Sequence, residues 1–98
     1  MKIERTATFK RNYKSLKKKN YDMKKFEAVL NHLINRDKTT LTSKYKDYSL
    51  SGNLKNFREL HIERDWLLVY QIKNDELVLL LIATGSHDEV FRNSSTYK

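Results

Sequence analysis

Ninety-eight residues suffice for one domain with a single core and leave no room for a second. With no cysteine, the chain has no disulfide, thiolate metal site or thiol nucleophile, so its core must hold through packing alone. Twenty Lys and Arg against twelve Asp and Glu give a formal charge of +8, which points to a polyanionic partner, nucleic acid first, or to an acidic protein.

No apolar run approaches the ~20 residues of a membrane span. The opening Met1-Lys2-Ile3-Glu4-Arg5 lacks the apolar stretch of a signal peptide, so a cytoplasmic protein with no membrane partner is expected. Residues 2 to 8 alternate as a short strand, and Thr8 is positioned to cap a helix in which Phe9, Tyr13 and Leu16 share one face. Lys10, Arg11, Lys14, Lys17, Lys18 and Lys19 fill the other faces of that helix, and ten of the chain's cations fall within its first twenty-five residues. Asn20 ends the helix, and Asp22 caps a second one carrying Met23, Phe26, Leu30, Leu33 and Ile34 at i, i+3, i+4 spacing. The short link makes the two an antiparallel hairpin. His32 lies away from the centre of the second stripe and is read as a boundary residue.

From Asp37 to Asn56 the periodicity lapses into Thr, Ser, Lys, Asp and Gly, a long loop pinned by Leu41, Tyr45, Leu50 and Leu54. Loops of that length in compact domains usually serve a function. Three runs of strand character follow, at 57–62, 66–72 and 76–83, with joins short enough for an antiparallel meander. In the first, Leu60 and Ile62 share one face and Phe57, Glu59 and His61 the other, so His61 points away from a core built on Leu60 and Ile62. The next two runs are apolar on both faces, as suits central strands.

If the turns fold where they stand, His61 lies opposite Trp66 and the end of the third run returns beside them. His61, Asp65, Trp66 and His87 then gather at one end of the sheet. Cleaving RNA needs a base for the 2′-hydroxyl, an acid for the departing 5′-oxygen, and cations on the phosphate. Histidine suits both proton steps near neutral pH, and a carboxylate such as Asp65 can hold its ring. Trp66 and Phe91 can stack on a base, although Trp66 at a strand start serves equally well as a core residue. Lys46, Arg58 and Arg64 are candidate phosphate contacts. His61, Asp65 and His87 contain no close ligand pair, and no metal or other cofactor is expected.

The stretch from His61 to Tyr70, the Thr84-Gly85-Ser86-His87 segment, Val90-Phe91 and the earlier Tyr45-Lys46-Asp47-Tyr48-Ser49-Leu50-Ser51-Gly52 resemble the YafQ-like toxins of the RelE/ParE superfamily of bacterial toxin–antitoxin systems. The resemblance implies an α+β fold in β-α-α-β-β-β order, an antiparallel sheet with an N-terminal strand and a helical hairpin packed on one face. It implies an endoribonuclease that cuts mRNA in the ribosomal decoding site and is silenced by a cognate antitoxin. His61, Asp65 and His87 match the family's acid–base positions, and Trp66 and Phe91 its site aromatics. The basic helix, through Lys10, Arg11, Lys14, Lys17 and Lys18, is expected on ribosomal RNA. Three positions depart from the pattern: Tyr48 stands where a histidine is common, Ala83 where an arginine is, and Arg64 where a proline is. Tyr48 keeps an aromatic and a hydrogen bond at the site, but Ala83 supplies no charge, and weaker cleavage is expected. The rival readings are a noncatalytic superfamily member acting by binding a protein, and a simple basic nucleic-acid-binding module whose binding weakens steeply with salt.

Overall fold

The computed structural model describes residues 1–52 and 56–92. Strand β1 (Lys2–Arg5) leads through Thr6 into helix α1 (Ala7–Lys18). The Thr6 hydroxyl accepts the Phe9 N–H at 2.9 Å and donates to the Ile82 carbonyl at 2.6 Å, so Thr6, not Thr8, is the cap. The helix therefore begins at Ala7, inside the stretch where alternation alone suggests strand. Asn20, at φ 63°, turns the chain out of α1. Asp22 caps α2 (Met23–Ile34), whose buried residues are Phe26, Val29 and Leu33. The stripe is thus centred on Val29, and Ile34 is exposed.

The stretch from Asp37 is not the long loop expected. Asp37 caps a third helix, α3 (Lys38–Tyr45), whose Leu41 and Tyr45, four apart, are buried against the sheet. Its other positions are mainly Thr, Ser and Lys, with little helical preference in the hydroxyl residues, so packing of those two side chains carries the helix. Lys46, left-handed at φ 57°, ends it. A two-residue strand, β2 (Tyr48–Ser49), follows, then β3 (Arg58–Glu63), β4 (Trp66–Lys73), β5 (Val78–Gly85) and a last helix, α4 (His87–Arg92). The expected Leu54 anchor lies outside the described residues.

The sheet order is β1-β5-β4-β3-β2. Strands β3 to β5 pair antiparallel, as expected for the meander, β2 adds antiparallel to β3 from within the expected loop, and β1 joins parallel to β5 with Ile3 beside Leu79. Helices α1 to α3 cover one face, where Phe9, Leu16, Phe26, Leu33 and Leu41 pack on Leu60, Ile62, Trp66, Leu68, Tyr70, Leu79 and Leu81. On the opposite face Leu67, Val69, Ile82 and Ala83 form a smaller cluster closed by Val90 of α4 and flanked by Leu50, Phe57 and Phe91. A bulge at Ile82, between the pairs Val69–Ala83 and Tyr70–Leu81, turns the end of β5 toward that second face. Among the described residues no helix is long and apolar enough to cross a membrane.

Candidate functional site

The second face of the sheet carries the histidines. Tyr48 stands opposite Glu59 in the β2–β3 ladder, and the alternation that places Leu60 and Ile62 under the helices turns Glu59 and His61 to the other side. The Tyr48 hydroxyl donates to Glu59 Oε1 at 2.7 Å, and His61 Nε2 lies 3.7 Å from the same oxygen. Glu59 is 1% exposed, and among the described residues its Oε2 has no hydrogen-bond partner. Tyr48 and half-buried His61 thus stand in front of a carboxylate removed from water. The hydrogen bond to Glu59, with burial and the Glu59 charge behind it, pushes the Tyr48 phenol up to about 12, so it keeps its proton and donates it to Glu59.

His61 pairs with Leu67, not with Trp66 as the spacing suggests, because Ile62 bulges out between His61 and Glu63. Leu67 in turn pairs with Gly85, so His61 and the lead-in to α4 stand about 10 Å apart, two strand spacings across the sheet. From Gly85 the chain turns into α4 through a capping box: Ser86 Oγ accepts the Glu89 N–H at 3.2 Å and Glu89 Oε1 accepts the Ser86 N–H at 3.0 Å. The Ser86 N–H, with Lys19 beside Glu89 Oε2, holds the Glu89 carboxyl below its ordinary value. Gly85 adopts φ 146°, a conformation that calls for glycine, and a Cβ there would also press on Glu89 Oε1 at 3.2 Å.

His87, the first residue of α4, is exposed, with its ring centroid 4.8 Å from that of half-buried Phe91. Asp65 Oδ1 accepts the His87 backbone N–H at 3.2 Å. The carboxylate expected to orient an imidazole therefore fastens the start of α4, and acts on His87 through its main chain.

Two expected site residues belong elsewhere. Trp66 is 1% exposed, packs edge-on against Tyr21 at 5.0 Å and donates its Nε1–H to Thr84 Oγ1 at 3.0 Å, so it is a core residue and not a stacking platform for RNA. The area of an indole and its single donor are both satisfied inside the fold. Thr84 completes the anchor by donating to the Leu67 carbonyl and taking Asn12 Oδ1 on its own N–H. Arg58 shares the face of Leu60, opposite His61. Its Nε donates to Asp47 Oδ1 at 3.1 Å and its terminal nitrogen to Ser49 Oγ at 2.7 Å, while the Tyr70 hydroxyl donates to Asp47 Oδ2 at 2.6 Å. It is a structural cation under the α3 end of the sheet, not a phosphate contact at the histidines.

Arg64, in the β3–β4 turn, and Lys46 are exposed and form no ion pair among the described residues. The same holds for Lys10, Arg11, Lys14, Lys17 and Lys18 on the outer side of α1. Ala83 is buried beside Val69, in the cross-strand row that runs through Glu59 to Tyr48, and that row contains no cation. Glu59 is the residue that sequence reasoning passed over. Its place on the His61 face is legible from alternation, but its burial depends on the short β2 strand. Among the described residues no three His, Asp or Glu side chains lie close enough to hold a metal ion.

Comparison with known proteins places the sequence and the fold in a family. Residues 1–92 match the family model described as the bacterial toxin of type II toxin-antitoxin system, YafQ. The mRNA interferase toxin YafQ of Escherichia coli K12 is 35% identical over 89 residues, covering 91% of this chain and 94% of that protein. A metal-bound toxin from Helicobacter pylori superposes with a TM-score of 0.82 at 43% identity, over 93% of this chain and 99% of that one. The toxin in the E. coli DinJ–YafQ complex superposes with a TM-score of 0.79 at 32% identity, over 91% and 96%. With nearly the full length matched in sequence and in fold, the chain belongs to the YafQ family of bacterial type II toxin–antitoxin toxins.

Proposed function

We propose that this toxin is an endoribonuclease that cuts messenger RNA on the ribosome, with His61 and His87 sharing the proton transfers. The observation that carries the reading is that His61, backed by the buried Glu59 carboxylate, and the α4 segment that bears His87 share the one sheet face that helices α1 to α3 leave open. The E. coli relative is named an mRNA interferase, which agrees with it.

In this mechanism the 2′-hydroxyl of the message gives its proton to one imidazole as its oxygen attacks the adjacent phosphorus. The bond from phosphorus to the 5′-oxygen breaks, and the second imidazole protonates that oxygen, leaving a 2′,3′-cyclic phosphate and a 5′-hydroxyl. The Glu59 carboxylate faces His61 Nε2 at 3.7 Å from the buried side, which assigns His61 as the base and His87 as the acid. Phe91, beside His87, offers a face to a base, and Arg64 supplies charge to the phosphate from the turn. The exposed cations of α1 suit ribosomal RNA.

The E. coli relative forms a complex with DinJ, and a cognate antitoxin holds this toxin in the same way, with the cytoplasm as the place of action. The test is controlled expression in bacteria with mapping of new mRNA 5′ ends, beside His87→Ala. Cuts at a fixed place within codons that vanish in the variant support the reading. Growth arrest without new ends favours a binding toxin, and equal cutting by His87→Ala removes that histidine from the mechanism.

A further inference from the structure

We propose that Glu59, clamped by the Tyr48 hydroxyl, is a positioning residue that fixes the His61 ring for proton transfer. The inference rests on the nuclease reading above and adds to it two side chains that act through the histidine.

Glu59 is the only charged residue buried in the described part of the sheet, and it stands among Tyr48, Val69 and His61 with one oxygen shared between two neighbours. A buried carboxylate is costly unless something holds it, and stability alone is usually better served by an apolar residue of similar size. Its place behind the half-buried His61 on the open face is therefore informative. Oε1 receives the Tyr48 hydroxyl at 2.7 Å and faces His61 Nε2 at 3.7 Å. With Nε2 turned to this carboxylate, Nδ1 is the nitrogen free to accept the 2′-hydroxyl proton. Glu59 itself is shielded from solvent, so it does not touch the message and the proton does not pass to it.

Tyr48 acts one step further out. It remains protonated, so it cannot compete as a base, and its hydrogen bond fixes the carboxylate rotamer that His61 meets. A phenol in this position keeps the donor while leaving all proton transfer to His61 and His87.

The test uses the full-length toxin, released from its antitoxin, on ribosomes carrying a defined message, with single-turnover rates and half-saturation measured for the wild type, Glu59→Gln, Tyr48→Phe and the double variant. Glu59→Gln keeps the shape and removes the charge, and it is expected to lower the rate constant about 10- to 100-fold with half-saturation changed less than about twofold. Tyr48→Phe, at an exposed position that keeps the fold, is expected to lower it about 3- to 10-fold, and to add nothing further on top of Glu59→Gln, because both act through the same ring. Wild-type rates in both single variants, a loss confined to half-saturation, or losses that multiply in the double variant would each overturn the positioning role while leaving the nuclease reading intact. A wild-type protein that cuts no message under these conditions overturns both.

Discussion

Replacing Trp66 with phenylalanine separates the two roles that its sequence position allows. The indole is buried on the helix-covered face, edge-on to Tyr21, and its Nε1–H is spent on Thr84 Oγ1. Phenylalanine removes about 40 Å² of apolar surface, worth about 1 kcal/mol at ~25 cal/mol/Å². Loss of the hydrogen bond costs about 1 kcal/mol more, and the space left by the smaller ring adds to that. Trp66→Phe is therefore expected to destabilise the fold by about 2–3 kcal/mol, which for a domain of this size lowers the unfolding temperature by about 10–20 °C. Because this is the only tryptophan, the variant is followed by far-ultraviolet circular dichroism in urea and not by fluorescence. Below its unfolding midpoint its half-saturation for message should match the wild type. An unchanged midpoint with weakened message binding would refute the argument and return Trp66 to the RNA surface.

Asp65→Ala removes the acceptor of the His87 N–H; it is expected to speed hydrogen exchange of the first α4 amides and lower cleavage about 10-fold, with global stability changed by less than about 1 kcal/mol. Arg58→Ala leaves Asp47 with Tyr70 as its remaining side-chain donor and is expected to cost about 1–2 kcal/mol in urea unfolding, while cleavage per folded molecule stays at the wild-type level. Tyr48, pushed up to about 12, titrates above the ordinary phenol value near ~10. Folding favours its protonated form, so its contribution is whole below the unfolded value and lost as pH rises through about 12; Tyr48→Phe should flatten the fall in urea stability over that window. The Glu89 carboxyl is held down by the Ser86 N–H and by Lys19, so its contribution is whole above the unfolded value and lost as pH falls through the lower folded one. The protection of the α4 amides, taken relative to their intrinsic exchange rates at each pH, should fall at acid pH in the wild type and show less of that dependence in Glu89→Gln.

The meander and the α1–α2 hairpin are legible because their periods are strong: alternation in β3, and Phe9, Leu16, Phe26 and Leu33 at helical spacing. Helix α3 escapes the same reading because only Leu41 and Tyr45 mark its buried side, among Thr and Ser that favour caps and turns as readily as helix. The start of α1 shows a cap overriding an alternating pattern, since Thr6 satisfies both the Phe9 N–H and the Ile82 carbonyl. Parallel pairing of β1 with β5 is a choice of edge that short-range pattern does not encode.

At the site, alternation carries more than residue type does. Once Leu60 and Ile62 are assigned to the core, Arg58 must share their face, and a guanidinium on the helix side cannot serve His61; charge alone suggested otherwise. The same parity puts Glu59 behind His61, but parity does not say that the carboxylate is buried. Burial comes from Tyr48, delivered by a strand of two residues at the end of a segment with no periodic signal of its own. Asp65 shows the complementary limit: its place beside the histidines is legible from spacing, whereas its bond to a backbone N–H depends on the turn geometry at Gly85 and Ser86. On the nuclease reading proposed above, proton chemistry at this site rests on two supports of different kinds, a cap that places His87 and a buried carboxylate that faces His61. Loosening the cap should move His87 without altering His61, and neutralising the anion should do the reverse, which is why Asp65→Ala and Glu59→Gln are expected to combine multiplicatively although Tyr48→Phe and Glu59→Gln are not.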